Sequence, residues 1–169
     1  EHMGKRKIVP VASHGREIAE TLAKRLVQIT PRPLDDPQAQ LAAFTRPAFA
    51  RRLSDLIDNQ LNIPGAVDLT PGLRGTDRLV EVEGCTFLNP TVVWCEDPEH
   101  PLANTEFLFP FVSVIELPQE EILSRIGPSL TVTALTEDDA FIDALLSSPN
   151  VERLNVGPIS TNRLLRLLS

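Results

Sequence analysis

Residues 84–117 read GCTFLNPTVVWCEDPEHPLANTEFLFPFVSVIEL, and the two apolar stretches in this string carry most of the information about the fold. Thr86 to Cys95 is rich in Thr, Val, Phe and Trp, whose branched or broad side chains suit a pleated surface. Together with Arg78–Val82 just before it, and Glu83–Gly84 between the two, it predicts a pair of strands joined by a turn. After the polar loop CEDPEHPLANT comes FPFVSVIEL, residues 109–117, an almost continuous apolar run. A strand with one wet face would alternate apolar and polar residues. A continuous run between a loop and a helix predicts a strand covered on both faces, as in a parallel sheet.

Working outward from this string, the upstream chain supplies candidate helices and one further strand. Lys7–Val11, KIVPV, is a short strand candidate, with Pro10 confined to its edge or end because it has no N–H to give to a ladder. From Ser13 onward Ile18, Leu22 and Leu26 recur every four residues beside Ala19 and Ala23, while charged residues take the other faces, which predicts an amphipathic helix. The segment Pro31–Pro37, PRPLDDP, stops it, since proline removes donors and disfavours helical neighbours. A second helix is expected from about Pro47 through Phe49, Leu53, Leu56 and Ile57, and Gly65, Pro71, Gly72 and Gly75 mark an irregular connection.

Downstream, Gln119–Ile126 predicts a short helix, Leu130–Leu135 a strand, Thr136 with Asp139 a capping-box-like helix start, and Val151–Val156 a last strand. Strands alternating with helices imply crossover connections. The expected fold class is therefore α/β: an open, mostly parallel twisted sheet with helices on both faces, in one domain over residues 4–169. Glu1, His2 and Met3 read as a tag remnant and an initiator methionine.

Composition narrows the function classes. The chain has 169 residues and a formal charge of -7. Tracking a phosphate backbone requires clustered Lys and Arg, so nucleic acid is not an expected partner. No apolar run approaches the roughly 20 residues needed to cross a bilayer, which gives the expectation of a cytoplasmic protein without a membrane partner. Cys85 and Cys95 form neither a disulfide framework nor a metal-binding spacing, and His14 and His100 lie too far apart for a zinc motif, so no metal is expected.

The usual marks of catalysis are also missing. There is no GxSxG elbow, no GxGxxG and no GxxxxGK[ST]. Cys95 is flanked by Glu96, Asp97 and Glu99, whose charges oppose formation of a thiolate, so it reads as a structural cysteine, as does Cys85. The acidic loop lacks the alternation and glycine of a calcium-binding loop and reads as solvated surface. No catalytic residue is assigned.

The order of pieces from Gly84 onward resembles the aldehyde dehydrogenase superfamily. Pro90, Thr91 and Val92 are similar to the family's PTV, and TEFLFP, Thr105 to Pro110, is similar to its EEIFGP, which places Glu106 on the second glutamate of that motif. VERLNVGPISTN resembles the strand that ends in the family's Asn, at Asn155, and RKIVPV, the helix from Ser13 and PLDDP resemble the family's preceding strand, helix and GDP turn. The likeness extends from Lys5 to about Asn162.

The resemblance implies the catalytic-half domain of an NAD(P)-dependent aldehyde dehydrogenase, in which a thiolate attacks the aldehyde, hydride passes to NAD or NADP, and water hydrolyses the thioester. It places the nucleophilic cysteine, the general-base glutamate, the oxyanion-hole asparagine and the dinucleotide-binding domain upstream of this sequence. The chain alone is therefore expected to be inactive and to hold no cofactor by itself. Glu106 is implied to bind the ribose beside the nicotinamide, and Leu108, which replaces the family's aromatic residue, to border the same site. Phe109 replaces a glycine and puts a bulky side chain where the family backbone turns closely. The implied partners are the missing dinucleotide-binding half and further copies of the chain. The competing readings are a non-catalytic domain of the same fold used for assembly, and an unrelated α/β binding module.

Overall fold

A computed structural model of the chain describes residues 7–8, 14–129 and 131–157. The chain divides into two compact units, Lys5–Leu117 and the part from Pro118 onward. In the first unit β1 (Lys7–Ile8), α1 (Gly15–Leu26), α2 (Pro47–Leu61), β2 (Ala66–Asp68), α3 (Pro71–Arg74), β3 (Leu79–Val82), β4 (Cys85–Leu88), β5 (Thr91–Cys95), α4 (Pro101–Asn104) and β6 (Phe111–Ile115) follow in order. The second contains α5 (Gln119–Arg125), β7 (Val132–Ala134), α6 (Asp139–Leu146) and β8 (Leu154–Val156).

The class is α/β and open, as expected. The main sheet has the order β1-β6-β5-β2, parallel at β1–β6 and β5–β6 and antiparallel at the β2 edge. Its centre is the apolar run 111–115, buried on both faces apart from the half-buried Val112. Side chains alternate across a strand, and the register pairs Val92 with Val112 and Trp94 with Val114 on the face that packs on α1. On the other face Thr91 pairs with Phe111, Val93 with Ser113 and Cys95 with Ile115, and there Ser113 Oγ donates to Ala103 C=O of α4 at 3.5 Å. Helices thus cover both faces of this sheet.

The long strand expected over Thr86–Cys95 is two. Asn89–Pro90 interrupts it, since Pro90 cannot donate to a ladder, and Asn89 N–H turns instead to Arg78 C=O at 2.8 Å. β4 pairs with β3 as an antiparallel hairpin, and β5 enters the parallel sheet. The hairpin turn is the expected Glu83–Gly84, both at positive φ (50° and 76°), the two-residue geometry whose twist matches antiparallel strands.

Helix α1 is seated by its smallest residues. Gly15, Ala19 and Ala23 are its buried positions, with Leu22 and Leu26 packed beside them, while Ile18 is 38% exposed. Small side chains at four-residue spacing let the helix approach Trp94 closely, and a Cβ on Gly15 would lie 2.8 Å from the indole ring. The Gly15 N–H donates to Glu116 Oε2 at 3.0 Å, so a carboxylate from the end of β6 satisfies a helix-terminal donor. Gly15→Ala is expected to destabilise this unit by about 1–3 kcal/mol, because neither the ring nor the carboxylate can yield without breaking its own contacts. A urea melt followed by Trp94 fluorescence checks it, and an unchanged midpoint would contradict this account of the packing.

In the second unit β7 and β8 pair in parallel around α6, the βαβ arrangement expected of the sequence. The helix start expected at Thr136 lies farther on. Asp138 is the N-cap, accepting from Phe141 N–H at 3.1 Å, while Thr136 Oγ1 accepts from Asp138 N–H. The Gln119 side-chain amide, followed by the Phe141 N–H, holds the Asp138 carboxyl below the usual carboxylate range. A depressed carboxyl stabilises above its unfolded pKa and loses that contribution as pH falls through the folded value, so this cap is an acid-sensitive contact. Most of the strand expected at Lys7–Val11, Leu130, and the chain beyond Gly157 lie outside the described residues.

Candidate cofactor-facing site

The segment that carries Glu106 and Leu108 runs between α4 and β6. α4 starts at His100, which is 2% exposed. Its Nδ1 accepts from Leu102 N–H at 3.1 Å, which leaves Nε2 as the protonated nitrogen, 3.2 Å from Ile63 C=O as its acceptor. Pro101 occupies the first helical position, where a missing N–H costs nothing. At the other end Thr105 Oγ1 donates to Pro101 C=O at 2.8 Å and releases the chain into extended geometry.

From Thr105 to Phe111 the side chains alternate. Phe107, Phe109 and Phe111 are buried, and Glu106 and Leu108 are exposed. The three rings form one cluster, with centroids 4.5 Å apart for Phe107–Phe111 and 6.0 Å for both Phe107–Phe109 and Phe109–Phe111, the last two edge-on. Aromatic pairs in such geometry contribute about 0.5–1.5 kcal/mol each beyond simple burial. Thr91 N–H donates to Pro110 C=O at 2.9 Å and ties the end of the segment to β5. The Phe109 ring lies inside, and Leu108, 58% exposed, is the residue beside Glu106 on the outer side. Glu106 makes no hydrogen bond or ion pair among the described residues, so its carboxylate is available to a donor from outside.

The remaining sequence candidates fall into structural roles. Cys95 is fully buried at the end of β5, and Cys85 is half-buried in the hairpin. The Glu96–Glu99 loop is held by a backbone bond to Gly65 and by one of its own side chains: Glu96 N–H donates to Gly65 C=O at 2.8 Å, and Asp97 Oδ1 accepts from Glu99 N–H at 2.9 Å. Among the described residues no group of three or more His, Cys, Asp and Glu side chains could hold a metal ion, and no helix is long and apolar enough to cross a membrane. Asn155 lies buried on β8, its Nδ2 3.4 Å from Thr133 Oγ1.

Sequence reasoning missed the most strongly bonded polar centre of this unit. Arg78, at the foot of β3, is 7% exposed. Its Nη1 donates to Asp58 Oδ1 at 2.8 Å and to the carbonyl and hydroxyl oxygens of Ser54 at 3.2 Å, and its Nη2 donates to Asp68 Oδ2 at 2.9 Å. Asp68 in turn accepts from Thr70 N–H at 2.9 Å and from the Thr70 hydroxyl. Nearby Arg74 donates to Pro90 C=O at 2.9 Å, and burial pulls its guanidinium below the usual arginine range. These bonds tie α2, β2 and β3 into the frame that carries the sheet. Nothing in the local pattern around Arg78 signals it, because its acceptors come from two other elements.

No family model and no curated protein matches the sequence. Solved structures do match the fold. A 3,6-anhydro-L-galactose dehydrogenase superposes with a TM-score of 0.73 and 16% identity, over 92% of this chain and 33% of that one. An aldehyde dehydrogenase from Bacillus cereus gives 0.72 and 15%, over 91% and 31%, and a succinic semialdehyde dehydrogenase from Streptococcus pyogenes, solved with NADP+, gives 0.70 and 17%, over 92% and 34%. The chain spans about a third of the length of these structures. With the alternating strands and helices described above, these matches give the chain the fold of a partial aldehyde dehydrogenase-like domain.

Proposed function

We propose that the chain is part of an NAD(P)-dependent aldehyde dehydrogenase and contributes one wall of the cofactor site, through Glu106 and Leu108. The observation that carries this reading is the pairing of an exposed, unpaired carboxylate with an exposed apolar side chain on one braced segment, within a fold shared with dehydrogenases. A carboxylate with free lone pairs can accept hydrogen bonds from ribose hydroxyls, and Leu108 offers an apolar surface to a ring beside them. The nicotinamide, when bound, supplies the hydride acceptor. Glu106 orients the ribose, Leu108 limits water at the ring, and the aromatic cluster holds both in place. The nucleophile and the dinucleotide cradle come from the other half, a partner that this reading requires. The isolated chain is inactive by this route, and its compartment is the cytoplasm.

A longer protein containing this chain should oxidise aldehydes with formation of NADH or NADPH, whereas the 169-residue chain should not. Lack of both turnover and cofactor binding in the longer protein would overturn the proposal. The departures at Leu108 and Phe109 favour a second reading, a non-catalytic domain of the same fold used for assembly; it predicts a stable longer protein that binds neither NAD+ nor NADP+.

A further inference from the structure

The linker Asn89–Pro90–Thr91 lies where β4 gives way to β5, and hydrogen bonds join it to the stretch 74–78. Arg74 Nη1 donates to Pro90 C=O at 2.9 Å, Asn89 Nδ2 donates to Asp77 C=O at 2.9 Å, and Asn89 N–H donates to Arg78 C=O at 2.8 Å. The Arg74 bond differs from the others in where it acts. Its acceptor, Pro90 C=O, belongs to the same peptide group as Thr91 N–H, and that N–H donates to Pro110 C=O at 2.9 Å. A trans peptide is planar, with its C=O and N–H pointing in opposite directions, so Arg74 and Pro110 are joined through one rigid unit. A charged donor on the carbonyl also polarises the peptide and strengthens the bond that its N–H makes, and half-burial of Arg74 reduces screening by water.

We propose that Arg74 is a positioning residue for Glu106: through the Pro90–Thr91 peptide it holds Pro110, and with it the outward direction of the Glu106 carboxylate. The cofactor reading above supplies what Glu106 meets; the clamp itself rests only on the bonds just described. Arg74 suits the role because its Nε donates to Thr76 C=O at 3.1 Å, which orients the guanidinium plane and leaves Nη1 on Pro90. Pro110 closes the TEFLFP stretch, and between it and Glu106 the chain has little freedom. Phe107 and Phe109 are buried against each other and against Phe111 of β6, so a shift at Pro110 moves the segment as a body.

Arg74→Met keeps an apolar stem and removes the donor. In the full chain it should speed exchange of the Thr91 amide roughly tenfold, while the Val27 amide at the end of α1, bonded to Ala23 C=O, stays within about twofold of its original rate. Arg74→Lys, whose ammonium can still meet Pro90 C=O, should bring the Thr91 rate back to within about threefold. In the longer protein containing this chain, Arg74→Met should raise the Kd of the preferred nicotinamide cofactor about 5- to 10-fold, but less than about twofold in a Glu106→Gln background, where the charge that Arg74 positions is gone. An unchanged Thr91 rate, or equal acceleration of the Thr91 and Val27 amides, would overturn the clamp. Additive effects of the two substitutions on Kd would show that Arg74 does not act through Glu106. A longer protein that binds neither NAD+ nor NADP+ would overturn the reading of Glu106 instead, and the exchange rates alone would then decide whether Arg74 holds Pro110.

Discussion

Arg78→Met is expected to destabilise the 5–117 unit by about 3–5 kcal/mol, the largest effect of any single substitution considered. The reason lies in what remains. Asp68, whose side chain is 4% exposed, would keep its charge and its Thr70 donors but lose the guanidinium that compensates it. Asp58 is 63% exposed and would be rehydrated at little cost, so nearly all of the loss belongs to the buried Asp68. A lysine cannot substitute well, because one ammonium lacks the planar fork that reaches Ser54, Asp58 and Asp68 together. The double variant Arg78→Met/Asp68→Asn removes the stranded charge while an amide oxygen still accepts from Thr70, and should recover about 2 kcal/mol of the loss. Urea melts followed by Trp94 fluorescence give all three numbers. A single variant within about 1 kcal/mol of the unsubstituted chain would show that the network contributes no stability.

His100→Ala should cost about 3 kcal/mol and lower the melting temperature by roughly 10 °C. The ring is buried and both its nitrogens are in use, so its removal opens a cavity and leaves two backbone groups, Leu102 N–H and Ile63 C=O, without the partners they now have. His100→Asn discriminates between the two contacts. Its shorter side chain can still cap α4 by accepting from Leu102 N–H but cannot reach Ile63 as well, so it should restore part of the loss. If alanine and asparagine were equally destabilising, the helix cap would not be what His100 provides. α4 leads directly into Thr105, so the alanine variant should also raise amide exchange across 104–108, the segment that presents Glu106.

How much of this was readable in the chain depends on the range of the forces involved. The run 111–115 announced a doubly covered strand by its lack of alternation, and α1 and α2 announced themselves by four-residue spacing and by Pro47 at the first helical position. These signals are local. The break at Asn89–Pro90 was written in the proline but masked by the β-favouring residues on both sides. β2, α3 and α4, with three or four residues each, are too short for any periodicity; Arg78 holds β2 from β3, Thr70 at the start of α3 bonds back to Asp68, and His100 caps α4 while reaching Ile63. The position of Glu106 came from its likeness to a motif, but its outward direction follows from the in-and-out placement of Phe107, Leu108 and Phe109. That alternation also shows why replacing glycine by Phe109 leaves the outer side of the turn clear.

The central claim, that Glu106 faces a nicotinamide cofactor, is tested most directly by calorimetric titration of NAD+ and NADP+ into the longer protein containing this chain, with Glu106 and with Glu106→Gln. Charge-assisted hydrogen bonds contribute about 1.5–3 kcal/mol, so the glutamine should weaken binding of the preferred cofactor by roughly 10- to 100-fold while the urea midpoint stays unchanged. Identical isotherms for the two proteins would contradict it.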